Sequence, residues 1–418
     1  MLVKEGAMNK FCKRIAVLFA LVTGIATLFV LSGCKKDDGD GVITEFIEEI
    51  HISSKEDLVK MQRNEGAGYV RFVLDNDIDC GGLSYDAGVL CGQLDGQGHV
   101  IKNIKIRSSN NAYGLFRSID NGGTYQHSIV NVGLVDFTME VRSNAEEIYA
   151  GAFVGFLEGE RQAHLQVSNC YARGSITVNN SFTNKTSNGY IGGFFGYTEH
   201  LSIENCHSDV SIDTSGSKNA WKYYLGGFIG KVWDTTKISH SVFEGEIISG
   251  ATSKTLYGEG EAISYAGGFV GYAEWGAKVE ACLSLADKYV GRNQSTFVVN
   301  PVCATWTEQS DGDKGVEYTR TYYAVQTMWT GEQVELYYPN GEGAWHFTYY
   351  KGVTKLGDTG TAVYEDHKST LTEKPFMTGT ATYKNKYGED CNSELDFSEE
   401  LWVFSGMALR LKAFAGVS

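Results

Sequence analysis

Nine histidines are the first candidates for chemistry. None stands in His-Glu-x-x-His, the spacing that sets two imidazoles on one helix face around a zinc ion. The chain also lacks a Gly-x-Ser-x-Gly nucleophile elbow and a phosphate-binding glycine loop. Acid–base work is left to Arg173, Asp209 and Glu244, which occupy one position of three successive sequence repeats. Carboxylates beside a cation on an exposed sheet face could cleave a polysaccharide by proton transfer. The plainer reading is a surface ladder with one attractive and one repulsive pair, each of small energy. No catalytic residue is expected, and the chain is read as a non-enzyme.

Binding has different candidates. Trp221, Tyr223, Trp233 and Trp275 fall in or beside turns and variable loops, where flat rings could meet sugar faces or protein partners. Glu158-Gly159-Glu160 and Asp311-Gly312-Asp313 are acidic runs that could attract calcium. Neither has the ligand count of a recognised calcium loop, so no metal or cofactor is expected. Beyond Cys34 the chain has seven cysteines: Cys80, Cys91, Cys170, Cys206, Cys282, Cys303 and Cys391. Seven cannot all pair internally. Cys80 and Cys91 flank a glycine-rich loop and could bridge, whereas the absence of Cys-x-x-Cys argues against zinc. The thiols are read as mostly buried and inert.

The elements that position these residues repeat. Tyr149-Ala-Gly151-Ala-Phe153-Val-Gly155 returns with Tyr190, Gly192 and Phe194, with Tyr224, Gly226 and Phe228, and with Tyr265, Gly267 and Phe269. Downstream in each unit lies a second patch: Val167-Ser-Asn169-Cys170, Ile203-Glu-Asn205-Cys206, Ile238-Ser-His240-Ser241 and Val279-Glu-Ala281-Cys282. A divergent earlier unit carries Tyr113-Gly-Leu-Phe116 and Ile129-Val-Asn131. Periods of roughly 20–50 residues indicate solenoids, propellers or arrays. Gly-Gly pairs and β-branched alternation exclude a helical period, and unequal loop lengths favour a stacked coil over propeller blades. Stacking predicts a ladder of Tyr149, Tyr190, Tyr224 and Tyr265 and a column of small side chains at Cys170, Cys206, Ser241 and Cys282. Glycine at 50 of 418 residues with only three prolines, and aromatics at 12%, fit an all-β chain with many turns.

The formal charge is −15. Residues 1–33 hold four Lys/Arg and one Glu, and without them 32 basic face 50 acidic residues, a net −18. That field repels phosphate backbones, so nucleic acid is an unexpected partner. Lys10, Lys13 and Arg14 precede an apolar run from Ile15 to Leu31, the pattern of a secretory signal, with Met8 closer to it than Met1. The run is also long enough to be weighed as a membrane span.

Several resemblances add to this reading. Leu31-Ser32-Gly33-Cys34 resembles the lipobox of bacterial lipoproteins, which implies cleavage after Gly33 and acylation of Cys34. The polar run Lys35-Lys36-Asp37-Asp38 resembles the signal that sends some Gram-negative lipoproteins to the outer face of the outer membrane; its plain alternative is a tether. The Gly-Gly-Phe-x-Gly core followed by Asn-Cys resembles the GLUG motif, found in bacterial surface proteins and in the non-catalytic region of some immunoglobulin A-cleaving metallopeptidases. Asp77-Ile-Asp79 and Gly92-Gln-Leu-Asp-Gly-Gln-Gly-His99 resemble the opening coils of right-handed parallel β-helices, and Leu401-Trp-Val-Phe404 with Leu409-Arg-Leu-Lys412 their closing coil. His240-Ser241 and Ala281 depart from the Asn-Cys pair, which makes the third and fourth units less secure.

The expectation is thus an all-β, single-stranded right-handed parallel β-helix with a β-hairpin C-terminal cap. Its parts are a signal peptide (1–33), an acidic tether (34–44), a β-helix (45–294) and a β-rich insert with closing coil (295–418). The repeats within the β-helix run 113–148, 149–189, 190–223, 224–264 and 265–294. On the order of eight coils would project about 40 Å. The expected role is a lipid-anchored adhesion or binding module on the outer membrane, facing outward, for a glycan or host surface protein. A polysaccharide-degrading enzyme and a structural stalk or subunit of a surface complex are the alternatives.

Overall fold

The computed structural model describes residues 46–417 except 63–67, 121–125, 159–164, 181–186, 218–221, 250–262, 287, 292–295, 301, 307–315, 320, 324–332, 340–343, 351–380, 385–389, 394–396 and 406–407. The signal-like segment, Cys34 and the tether lie outside the described residues. Among the described residues the chain is all-β, with two short 3-10 turns, Asp57–Met61 and Lys412–Phe414, as its helical elements. Four sheets of nine, seven, twelve and eight strands are built from parallel pairs, and hairpins are added toward the C-terminus.

One circuit shows how the sequence makes this. Glu147–Gly151 joins the eight-stranded sheet, Val154–Leu157 the seven-stranded, Leu165–Ser168 the nine-stranded and Tyr171–Val178 the twelve-stranded. The chain then returns to the eight-stranded sheet as Asn188–Gly192, which pairs in register with the strand it left: Tyr149 opposite Tyr190 and Gly151 opposite Gly192. The same register continues from Tyr190 to Tyr224 and from Tyr224 to Tyr265. Strand alternation points Ile191 and Leu225 inward and the tyrosines outward. Phe153, Phe194, Phe228 and Phe269 stack through the core with centroids 4.9, 4.8 and 5.4 Å apart. At the open N-terminal end the Asp57–Met61 turn buries Leu58 and Met61 beside the strand Gly88–Leu90.

Corners explain the glycines. A Cβ on Gly227 would lie 2.1 Å from the Gly268 carbonyl oxygen and 2.5 Å from the Phe243 ring. On Gly230 it would meet the backbone nitrogen of Ile191 at 2.4 Å. The Gly268 and Ile191 contacts are with neighbouring circuits, so a side chain there would push circuits apart. The other corner, between the nine- and twelve-stranded sheets, needs a left-handed residue, taken by Asn131, Asn169 and Asn205 at φ of 53°, 54° and 51°. His240 (46°) and Ala281 (51°) adopt it too, and pairing on either side of them stays in register. The units lacking Asn-Cys therefore keep the corner, at a strain of roughly 1–2 kcal/mol for a residue without a local hydrogen bond.

Two expectations change. The circuit does not stop at 294: Thr296–Asn300, Cys303–Trp306, Val316–Thr319 and Tyr322–Tyr323 add a strand to each of the four sheets. The Gly-Gly-Phe signature is missing there because Asn300 turns the corner, its Oδ1 accepting from the N–H groups of Val302 (2.8 Å) and Cys303 (3.1 Å). Gln333–Pro339 then pairs with Thr296–Asn300 and forms a hairpin with Ala344–Tyr350.

The second change concerns Leu401–Lys412, expected as a closing coil. The hairpin Trp402–Ser405 with Ala408–Leu411 instead lies on the flank of the stack. Phe397, Trp402, Leu409, Leu411 and Phe414 pack on outward residues of the twelve-stranded sheet, among them Val100, Val135, Tyr171, Val242 and Leu283. The Trp402 indole N–H donates to Asn205 Oδ1 at 3.3 Å. Arg410 pairs with Glu244, whose Oε2 is also 3.3 Å from His207 Nε2. The apolar outward column has no other described cover, which is why the hairpin docks there.

Burial alone would raise the Glu244 carboxyl, but His207 and Arg410 outweigh it and hold it below the ordinary glutamate value of 4.5. A depressed pKa contributes stability above the unfolded value, and that contribution is lost as pH falls through the folded value. Acid unfolding followed by circular dichroism should therefore steepen below about pH 4.5 in the native chain. Glu244→Gln should be less stable at pH 7 and show a shallower acid limb; equal pH profiles would discount this cluster.

Candidate binding surface

The tyrosine ladder faces outward. Centroids of Tyr149 and Tyr190 are 5.5 Å apart, of Tyr190 and Tyr224 5.3 Å, and of Tyr224 and Tyr265 5.2 Å, with interplanar angles of 13°, 9° and 7°. Such offset stacking adds about 0.5–1.5 kcal/mol per pair beyond burial. A second column leans on it from the seven-stranded sheet: Phe156, Tyr197, Lys231 and Tyr272, paired in register and each following the last glycine of the repeat. Phe156 stacks on Tyr197 at 4.8 Å, and Tyr272 lies 5.0 Å from Tyr224. Tyr197 donates to Glu199 at 2.7 Å, and Tyr149 and Tyr190 donate to Glu147. Burial first, then these carboxylates, push all three phenols upward, so they remain hydrogen-bond donors.

Lys231 breaks the aromatic column and is held by it. Its ammonium lies 4.8 Å from the Trp233 ring centroid, and 5.3, 5.4 and 5.6 Å from those of Tyr190, Tyr272 and Tyr197. Glu274 Oε2 completes the cluster at 2.9 Å. With its side chain only 12% exposed, the lysine is largely desolvated, where a cation–π contact is worth about 2 kcal/mol. Trp233 is the next-to-last residue of the strand Ile229–Asp234 and is 39% exposed. Trp275 is 49% exposed, in the turn where Gly276 takes a φ of 64°. Val232 opposes Ala273 in the ladder, so the two indoles belong to neighbouring circuits at the same end of their strands.

The other expected ligand residues are placed differently. Tyr223 is fully buried and donates to Ser217 at 2.8 Å, so it offers no face to a ligand. In Lys222–Gly226 the alternation sends Tyr223 inward and Tyr224 outward, and the Tyr223 ring fills the space a side chain at Gly189 would need. Trp221 lies outside the described residues. Lys231 and Glu274 were not singled out from the sequence, although the position after the closing glycine could have shown the column.

Arg173 does oppose Asp209 in the ladder, but the column is not an open acid–base face. Arg173 binds Asp136 (3.0 Å) and the Val417 carbonyl oxygen (3.3 Å), and Glu244 is held by Arg410 of the flanking hairpin. The described cysteines Cys80, Cys91, Cys170, Cys206, Cys282 and Cys303 are buried and unbridged, Cys80 and Cys91 included. Cys170, Cys206 and Cys282 direct their thiols at backbone carbonyls, and burial pushes Cys282 up to about 12 and Cys206 upward. Neither forms a thiolate nucleophile at neutral pH. No metal-ligand set of three or more His, Cys, Asp or Glu occurs among the described residues; Gly159-Glu160 and Asp311–Asp313 lie outside them. Among the described residues no helix is long and apolar enough to cross a membrane.

No family model matches the chain, and no curated protein matches it. A solved structure from Bacteroides ovatus, carrying the provisional name immunoglobulin A1 protease, is similar at 16% identity and a TM-score of 0.42. The match covers 84% of this chain and 92% of that one. A likeness of that size carries no argument about activity.

Replacing Lys231 by Met keeps the aliphatic stem and removes the charge, leaving Glu274 beside four rings. The expected loss is roughly 2–3 kcal/mol in denaturant unfolding, with altered Trp233 fluorescence. Unchanged stability and emission would show that the ammonium does not hold the cluster.

Proposed function

We propose that this chain is a right-handed parallel β-helix of GLUG-like repeats that binds glycan on the cell surface through the corner carrying Trp233 and Trp275. On this reading Cys34 bears a lipid that anchors the chain to the outer membrane, facing outward, and residues 34–44 are the tether. The continuous in-register parallel sheets support the β-helix, because a chain that visits four sheets in turn and returns one strand further on is a coil.

The observation that carries the binding role is the pair of half-exposed indoles on neighbouring circuits, one of them held by Lys231. Large rings left in water on an otherwise packed surface are the usual mark of a recognition site, and a flat indole matches the apolar face of a sugar. Glu274 lies within the same cluster and Asp234 follows Trp233, supplying acceptors for sugar hydroxyls. The net charge of −15 argues against nucleic acid and polyanionic glycans, so neutral glycans fit best. A rigid site of this kind binds without turnover, and no catalytic residue is assigned.

The test is a glycan array probed with the intact chain, followed by titration of any hit. Neutral oligosaccharides are expected to bind saturably. Trp233→Ala and Trp275→Ala should each lower affinity by about tenfold or more, the loss of one aromatic platform. A silent array, hits indifferent to both substitutions, or release of shortened sugar would contradict the reading.

A further inference from the structure

A second site lies on another corner of the stack, against the flanking hairpin. A cavity of about 360 Å³ opens there, at the low end of the roughly 300–1,000 Å³ usual for ligand pockets. Gln97 and Asn169 line it from the stack; Glu400, Lys412, Leu411 and Phe414 line it from the C-terminal segment.

Part of its polar lining is engaged, Lys412 with the Glu399 carbonyl and Asn131 with Asp95 and Asn169, and part is not. Asn169 donates through Nδ2 to Asn131 Oδ1 at 3.0 Å, but its own Oδ1 has no hydrogen-bond partner. The next member of the column, Asn205, accepts the Trp402 N–H at its own Oδ1, and the amide ladder does not continue from it to Asn169. Gln97 bonds to Asp95 through its backbone N–H, and Glu400 to Ser398 through its own. Both residues are exposed, and neither the Gln97 amide nor the Glu400 carboxylate bonds another described residue. Gln97 also holds a φ of 50° between two glycines, a conformation that glycine would adopt without strain.

We propose that this cavity binds one uncharged, hydroxyl-bearing ring, a single sugar residue. Leu401 and Ala413, which are the more exposed apolar residues of the lining, meet the carbon-bound face of the ring, while Gln97 and Glu400 take neighbouring hydroxyls. Glu400 and Lys412 line it together, so a ligand of either net charge meets a like charge, and a neutral one does not. The site is independent of the tryptophan corner, which lies between the seven- and nine-stranded sheets, and the two readings fail separately.

The experiment titrates the intact chain with glucose, galactose, mannose and N-acetylglucosamine at millimolar concentrations, read by saturation-transfer NMR and calorimetry. At least one should bind saturably. Gln97→Gly, which suits the backbone, and Glu400→Ala should each weaken it by about tenfold, while Trp233→Ala leaves it unchanged. A panel with no saturable sugar overturns the proposal. So does an affinity untouched by Gln97→Gly or Glu400→Ala, or binding abolished by Trp233→Ala.

Discussion

Parallel pairing in register sets one residue over its counterpart in the next circuit, about 4.8 Å away, and the rest of this chain is built on that spacing. Tyrosine lies over tyrosine on the outside and phenylalanine over phenylalanine in the core, at distances the strand separation dictates. A slip of one residue would turn Tyr190 inward and Ile191 outward, and every later circuit with them. The corners enforce the register: glycine where two circuits touch, and a left-handed residue where the nine-stranded sheet hands the chain to the twelve-stranded one.

Both proposed sites arise at departures within those columns. Lys231 stands where Phe156, Tyr197 and Tyr272 stand in other circuits, and the rings around it supply what water no longer does. Its charge in turn packs against Trp233, so one departure from a structural ladder fixes the face proposed for recognition. The asparagine corner behaves in the same way. Beside the circuit where Asn205 bonds Trp402, the Asn169 Oδ1 lacks a partner and a cavity remains. In both places a repeat provides rigidity and a break in it provides the proposed site.

The repeat was legible because stacked circuits impose the same steric demands at each level, and Gly-Gly-Phe-x-Gly records them. What it could not show is how the demand is met without the signature. Asn300 turns the corner through its own side-chain oxygen, and the circuit beginning at Thr296 escaped notice for that reason. Tyr223 and Tyr224 are adjacent in sequence yet on opposite faces, a distinction fixed by pairing with Gly189 and Tyr190 rather than by residue type. The flanking hairpin was recognised as a β element, but its contacts with His207, Asn205 and Glu244 span some two hundred residues and leave no local trace.

The in-register stack itself is tested most directly by one distance. Gln93, Ser128, Gln166, Ser202, Lys237 and Lys278 oppose one another in sequence across the nine-stranded sheet. Five strand steps separate the first from the last. Nitroxides on cysteines introduced at Gln93 and Lys278, measured by double electron–electron resonance, should give a narrow distribution centred about 24 Å. A broad distribution, or one centred well beyond that distance, would contradict the stack on which both proposed binding sites depend.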